Sequence, residues 1–206
     1  MPIARRIFWL LVGLCAALSA LILLVMPDEK TIGPVIKLVY LHGALSRAGM
    51  LGLIAAGIAG AIYLAWPRRA ALAWSQGLAI SGWCFWVGHF IVSLPATRLT
   101  WGPWIAWGEP RVTMTLQIAA AWLIVYLVSR FLDHARFTAS AHALFGVAVA
   151  ALAAAAGVLR HPLDPIGASP SVTLRVIYVG LLIPVLAAMS LIAWRLAAAV
   201  RPPTAT

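Results

Sequence analysis

The sequence predicts an all-α membrane protein, a transmembrane bundle of six helices in one domain that takes up all 206 residues. Hydrophobic residues make up 64% of the chain and charged residues 10%, whereas a soluble domain is about half apolar and about a quarter charged. The second observation is a series of apolar runs of about 20 residues, the helix length that crosses roughly 30 Å of hydrocarbon. The net charge of +10 lies in short loops, so we expect contact with membrane lipid rather than with nucleic acid.

The apolar runs define the helices in chain order. The first run follows Arg5 and Arg6 and is too long for a signal peptide, so we expect it to be retained. Small residues recur at every fourth position of the second span and favour close helix packing: Ala44, Ala48, Gly52, Ala56 and Gly60. We expect Cys15 and Cys84, both within spans, to be small buried hydrophobic residues. The predicted spans are 7–26, 38–66, 72–94, 113–131, 137–159 and 173–195.

Basic residues orient the spans by the positive-inside rule. Eight lie at one set of span ends and six at the other, and the pairs Arg5/Arg6 and Arg68/Arg69 strengthen this bias. The two sets are Arg5, Arg6, Arg68, Arg69, Arg130, Arg136, Arg195 and Arg201 against Lys30, Lys37, Arg98, Arg111, Arg160 and Arg175. We therefore expect both termini on the cytoplasmic side, N-in and C-in. The two longest loops, 95–112 and 160–172, then face outward.

Two histidines lie near the outer ends of predicted spans and favour a haem site. His42 is about one turn inside the second span, and His161 follows the fifth. Two neutral imidazoles at one level are what a six-coordinate haem iron requires, and an ionisable residue within a membrane favours a functional role. His89 could also ligate iron, although packing is the favoured interpretation. His134 and His142 lie toward the inner side and are interpreted as structural.

Tryptophans and cations on the same side extend the haem hypothesis. Trp101, Trp104 and Trp107 are spaced by three, and on a helical turn they would form one face about 120° wide that could lie against a porphyrin. An interfacial aromatic belt is the alternative explanation. Lys37 and Arg111 are candidate partners for the two haem propionates.

Three segments together resemble the CcmC-type haem-handling proteins of the cytochrome c assembly family, whose members carry a WWD domain. Residues 37–42, from Lys37 to His42, are similar to that family's stretch before its first haem-ligating histidine. Residues 101–113 resemble its tryptophan-rich WGxWWxWDxRLT loop, with Ile105 in place of a tryptophan and Gly108-Glu109 in place of the aspartate. The segment 160–162, which contains His161, follows the fifth span, where the second histidine is expected.

The resemblance implies a role in cytochrome c biogenesis at a bacterial inner membrane. A multi-pass protein of this kind holds non-covalent b-type haem at the periplasmic face. It presents the haem to a haem chaperone and works beside subunits of an ABC-type transporter. By the same resemblance, His42 and His161 are the axial ligands, the three tryptophans are the haem platform, and Lys37 and Arg111 bind the propionates.

Two other functions fit parts of the sequence. A membrane b-type cytochrome or quinone-linked electron-transfer subunit would also bind haem, but two haems at different depths usually need two histidine pairs. A transporter or structural subunit without a cofactor is the third possibility, although we find no inverted repeat. We expect no enzymatic activity, because none of the five acidic residues is paired with a nucleophile or base.

Overall fold

A computed structural model describes residues 2–160 and 170–200, and in this part of the chain the regular structure is six long α-helices. All six are long and apolar enough to cross a membrane. This confirms the predicted all-α architecture of six spans. The helices are α1 (Pro2–Val25), α2 (Ile36–Ala65), α3 (Arg69–Trp101), α4 (Pro110–Leu132), α5 (Ala135–Ala155) and α6 (Val172–Ala199).

The third helix is longer than the sequence predicted. It continues through Pro95 and ends at Trp101, so the expected outer loop 95–112 is wrong and the connection is 102–109. A proline removes one helical hydrogen bond, but neighbouring helices allow membrane helices to tolerate it. A helix of 33 residues is about 50 Å long at 1.5 Å per residue, which exceeds the roughly 30 Å of hydrocarbon. Its last turns therefore extend beyond the apolar layer or the helix is tilted.

Short connections make neighbouring helices antiparallel and give the bundle two distinct ends. The tail end contains the start of α1, the connections 66–68 and 133–134, and the end of α6. The loop end contains residues 26–35, 102–109 and 156–160. At the tail end Asp133 has a left-handed backbone (φ 44°) and ends α4, and the His134 side chain accepts the N–H of Phe137 at the start of α5. His134 is therefore a helix cap, as its structural interpretation expected.

Helix α2 lies at the centre and contacts α3, α5 and α6. Its small-residue stripe is buried at all five predicted positions, which confirms the packing interpretation. The contact with α5 is so close that a Cβ atom added to Gly57 would lie 2.9 Å from the Cα atom of Gly146. Helix α2 therefore fixes the relative positions of the helices that carry the histidines.

The outside of the bundle is apolar, as a surface that faces lipid must be. Phe131 is 89% exposed and Leu144 73% exposed. Helix α1 packs mainly against α6, and most of its side chains are exposed. Cys84 also lies on this outer surface, so the expectation that it is buried is wrong. The i, i+4 pattern predicts which face of a helix carries small residues. It does not predict which helix surfaces lie on the outside of the bundle, as that of Cys84 does.

Candidate haem site at the loop end

His42, on α2, has a hydrogen bond that sets its tautomer. Its Nδ1 lies 3.1 Å from the backbone carbonyl oxygen of His89 on α3. A carbonyl only accepts, so Nδ1–H donates and the lone pair of the neutral ring is on Nε2. Histidines that bind metals usually have this arrangement, in which the other ring nitrogen donates to a carbonyl or carboxylate. The residue therefore fits the role of an axial haem ligand.

His89 is a packed residue that supports His42. It is only 3% exposed, and its ring centroid lies 5.1 Å from that of His42 and 4.4 Å from that of Trp86. Its Nε2 lies 3.3 Å from Oγ1 of Thr115, whose own hydrogen goes to the Arg111 carbonyl at 2.8 Å. The Nε2–H of His89 therefore donates to Thr115. These contacts agree with the packing interpretation and show that the backbone of His89 orients the neighbouring histidine.

The tryptophan segment differs from the expected helical turn. Trp101 is the last residue of α3, and Gly102 ends the helix with a positive φ of 95°. Residues 102–109 contain bends and turns, so the expectation of one helical face is wrong. Glycine can end a helix at a positive φ because it has no Cβ atom to clash. Trp104 and Trp107 remain on the surface, 59% and 69% exposed.

Glu109 connects the tryptophan segment to the chain that follows α5. The residue is 1% exposed, and its carboxyl oxygens accept the backbone N–H groups of Leu159 at 3.2 Å and Arg160 at 2.8 Å. The guanidinium group of Arg160 lies 6.0 Å from the ring centroid of Trp101, the outer limit of a cation–π contact. Two segments that the sequence assigned to one site therefore lie side by side.

A small cavity lies between these two segments. Its volume is about 240 Å³, and Trp107, Glu109 and Arg160 are among its lining residues. Cavities that enclose small-molecule ligands usually measure about 300–1,000 Å³. A ligand as large as haem would therefore lie across this surface and not inside the cavity.

The remaining predicted site residues are distributed as follows. His161 lies outside the described residues, directly after Arg160. Arg111 is in the first turn of α4, and its carbonyl accepts the bond from Thr115. The Lys37 Nζ atom lies 3.4 Å from a carboxyl oxygen of Asp28. Lys37 precedes the α2 histidine by five residues, a spacing that separates two side chains by about 140° around a helix. Lys37 would therefore meet only the edge of a ligand bound at His42, and the propionates of a haem lie at its edge.

Sequence reasoning missed two supporting groups at this end of the bundle. The His89 carbonyl supports a side chain 47 positions away, and no sequence pattern reports such a contact. Glu109 had a detectable signal, because it is an acidic residue in an apolar segment directly before the proline that begins α4. No family model and no curated protein sequence matches the chain.

Proposed function

We propose that this protein is a haem-handling component of cytochrome c biogenesis that binds non-covalent b-type haem at the loop end of the bundle. The observation that carries the proposal is the hydrogen bond from the Nδ1–H of His42 to the His89 carbonyl. It holds the imidazole on a defined axis with its lone pair on Nε2, the atom that binds iron. His161 supplies the second axial ligand.

The surface around the histidine suits a flat, anionic, apolar ligand. Trp101, Trp104 and Trp107 supply aromatic rings of which the last two are exposed. Arg111 and Lys37 supply cations for the propionates. The ion pair of Lys37 with Asp28 is partly exposed on both sides, and such pairs contribute about 0–1 kcal/mol. A propionate can therefore replace Asp28 at small cost.

The exposure of the tryptophan segment supports cargo transfer. A haem bound across an open surface can be passed to a haem chaperone without opening the helix bundle. We propose that subunits of an ABC-type transporter are further partners. The protein would lie in the bacterial inner membrane, with the loop end facing the periplasm. The resemblance of residues 37–42 and 101–113 to the cytochrome c assembly family supports these assignments.

A membrane b-type cytochrome is the second candidate. It is favoured by one observation, a second histidine with a fixed tautomer at the tail end, His142, whose Nδ1 is 2.9 Å from Oγ of Ser75. Rapid reduction of the haem by quinol, and not the number of haems bound, distinguishes such a cytochrome from a haem carrier. Stopped-flow mixing with a quinol separates the candidates, because a haem carrier need not be reduced on the time scale of turnover.

Absorption spectra of the detergent-purified protein test the proposed function. We expect a Soret band, b-type features after dithionite reduction and a b-type pyridine haemochrome. His42→Ala and His161→Ala should each lower the haem content several-fold, because each removes one axial ligand. His134→Ala is the matched control, since His134 caps α5 at the opposite end. Equal haem content in all three variants would refute the site.

A further inference from the structure

A large cavity lies at the tail end, far from the proposed haem surface. Its volume is about 920 Å³, and residues of α2 to α6 line it. Toward the loop end, α3 holds α4 through the indole N–H groups of Trp83 and Trp86, which donate to the carbonyls of Ala119 and Thr115 at 3.1 Å. Both bonds lie on the loop side of Trp122, where α4 begins to line the cavity. These two bonds hold α4 against α3 toward the loop end, and the cavity lies beyond them, toward the tail end.

His142 lines this cavity and has the same kind of orienting bond as the loop-end histidine. It is 6% exposed, and its Nδ1 lies 2.9 Å from Oγ of Ser75. The single hydrogen of the Ser75 hydroxyl goes to the Ala56 carbonyl at 2.8 Å. Ser75 must therefore accept from His142, which places the imidazole proton on Nδ1 and the lone pair on Nε2. The structural interpretation of His142 is incomplete, because its ring also borders a space large enough for a ligand.

Charge at the rim of the cavity defines the other end of such a ligand. Arg69, at the start of α3, and Arg130, near the end of α4, line the cavity and are exposed, and Asp133 lies beside them. The N-termini of α3 and α5 also border this rim, and helix N-termini favour anions. His142 lies seven residues into α5, about 10 Å deeper than the start of that helix. The cavity thus has cations at its mouth and, deeper in the bundle, the lone pair of His142 Nε2.

The wall between these levels is aromatic. The Trp122 ring stacks on Tyr126 with centroids 5.0 Å apart and planes 10° apart, and on Trp83 at 4.7 Å and 19°. Trp122 and Tyr126 both line the cavity. An acyl chain of a lipid in this position would meet the polar groups of Gln76 and His142, which also line it. The Nε2 lone pair of His142 has no partner in a hydrocarbon chain, whereas it is a ligand for the central metal of a flat aromatic ligand.

We infer that the tail-end cavity is a second metalloporphyrin site, in which His142 Nε2 ligates the iron of haem and Arg69 and Arg130 bind its two carboxylates. The volume of about 920 Å³ is within the range of cavities that enclose ligands. His134 also lines the cavity, but its Nδ1 accepts the Phe137 N–H, so the proton of the neutral ring is on Nε2. One protein imidazole therefore faces the iron. The ferric haem here is five-coordinate and high-spin, unlike the bis-histidine, low-spin haem proposed at the loop end.

Titration of the full-length purified protein with ferric haem tests this inference. His142→Gln keeps a side-chain amide that can donate to Ser75 but removes the imidazole ligand. We expect it to weaken binding at this site at least tenfold and to abolish a high-spin electron paramagnetic resonance signal. His134→Ala, at the rim of the same cavity, is the matched control and should keep both the haem affinity and the high-spin signal. Thermal unfolding of each variant in detergent verifies that it is folded.

Two further sets of variants separate this site from the loop-end site. In protein that lacks both proposed loop-end ligands, His42→Ala with His161→Ala, the high-spin signal should persist and disappear only when His142→Gln is added, even if the loop-end proposal fails. Arg69→Gln with Arg130→Gln should weaken binding of both haem and iron-free protoporphyrin, whereas His142→Gln should weaken binding of haem alone. An unchanged haem titration and spectrum in folded His142→Gln protein would overturn the inference. So would a cavity that retains phospholipid in native mass spectra and does not exchange it for haem.

Discussion

At the scale of single residues, buried polar groups organise the loop end. The carboxyl group of Glu109 accepts two backbone N–H groups from a segment about 50 positions later, at sequence separations of 50 and 51. A hydrogen bond of this kind contributes about 0.5–1.5 kcal/mol net, so the two bonds together stabilise the position of this segment by about 1–3 kcal/mol. Glu109 therefore positions the described chain as far as Arg160, the residue that precedes His161 in the sequence.

We predict that Glu109→Ala loosens the chain after α5. Loss of both acceptors should destabilise that segment by about 1–3 kcal/mol. Hydrogen exchange at the amides of Leu159 and Arg160 should become at least several-fold faster. Glu109→Gln retains one carbonyl acceptor and should give an intermediate effect. Unchanged exchange in the alanine variant would contradict the role given to this carboxyl group.

A second residue-scale prediction concerns Glu29, in the connection before α2. Its carboxyl group accepts the N–H groups of Ile32 and Thr31 at 2.9 and 2.7 Å, and these bonds hold its pKa below the ordinary value of 4.5. A carboxyl group with a lowered folded pKa stabilises the fold above its unfolded pKa, and that contribution is lost as the pH falls through the folded pKa. Protection of the two amides should therefore fall below about pH 4.5. In Glu29→Gln protein this pH dependence should be absent, and its persistence would exclude Glu29 as the cause.

At the scale of helices, close approach between α2 and α3 positions the two loop-end histidines. A Cβ atom added to Gly49 would lie 2.6 Å from the backbone nitrogen of Trp86 and 2.9 Å from its Cα atom. Backbone atoms cannot move away as the end of a flexible side chain can. The hydrogen bond between His42 and His89 thus depends on a helix contact that only small residues allow.

We predict that Gly49→Ala separates α2 from α3 and lowers the thermal stability. The expected loss is about 1–3 kcal/mol, as for other overpacked cores, together with a lower haem content at the loop end. Gly88→Ala on α3 is the matched control, since nothing lies within 4 Å of its added Cβ atom. That control should be neutral or slightly stabilising, because alanine favours helix over glycine. Equal melting temperatures for the two variants would show that the close contact is not limiting.

At the scale of the whole molecule, six antiparallel spans return the chain to the side on which it started. The loop end and the tail end must then lie on opposite sides of the membrane. The positive-inside bias predicts that the tail end is cytoplasmic. This prediction decides whether the proposed haem surface faces the periplasm.

We predict that labelling of single introduced cysteines, in a variant from which Cys15 and Cys84 have been removed, will show this orientation. Gly108→Cys, at the loop end, should react with an impermeant maleimide in intact spheroplasts. Arg136→Cys, at the tail end, should react only after the membrane is permeabilised. The reverse pattern would place the loop-end surface in the cytoplasm and contradict its proposed role in supplying a periplasmic haem chaperone.

The sequence alone determined the class of the molecule, the number of spans, and the buried stripe of α2. These features follow from apolar length and from a local period of four residues, which need no knowledge of neighbouring helices. The sequence also identified His42 as a candidate ligand from its depth in a span. It failed at the end of α3, where the predicted span ended at residue 94 but packed neighbours allow the helix to continue through Pro95 to Trp101.

Only the tertiary structure decided which side chains meet. The bond between His42 and the His89 carbonyl, the bonds from the Glu109 carboxyl group and the bond between His142 and Ser75 all join residues 47 or more positions apart. Each pairing depends on helix rotation and spacing, which close contacts among small residues set to within an ångström. A sequence pattern predicts which residues share one face of a helix. The tautomer of a histidine depends instead on a hydrogen-bond partner that lies on another helix.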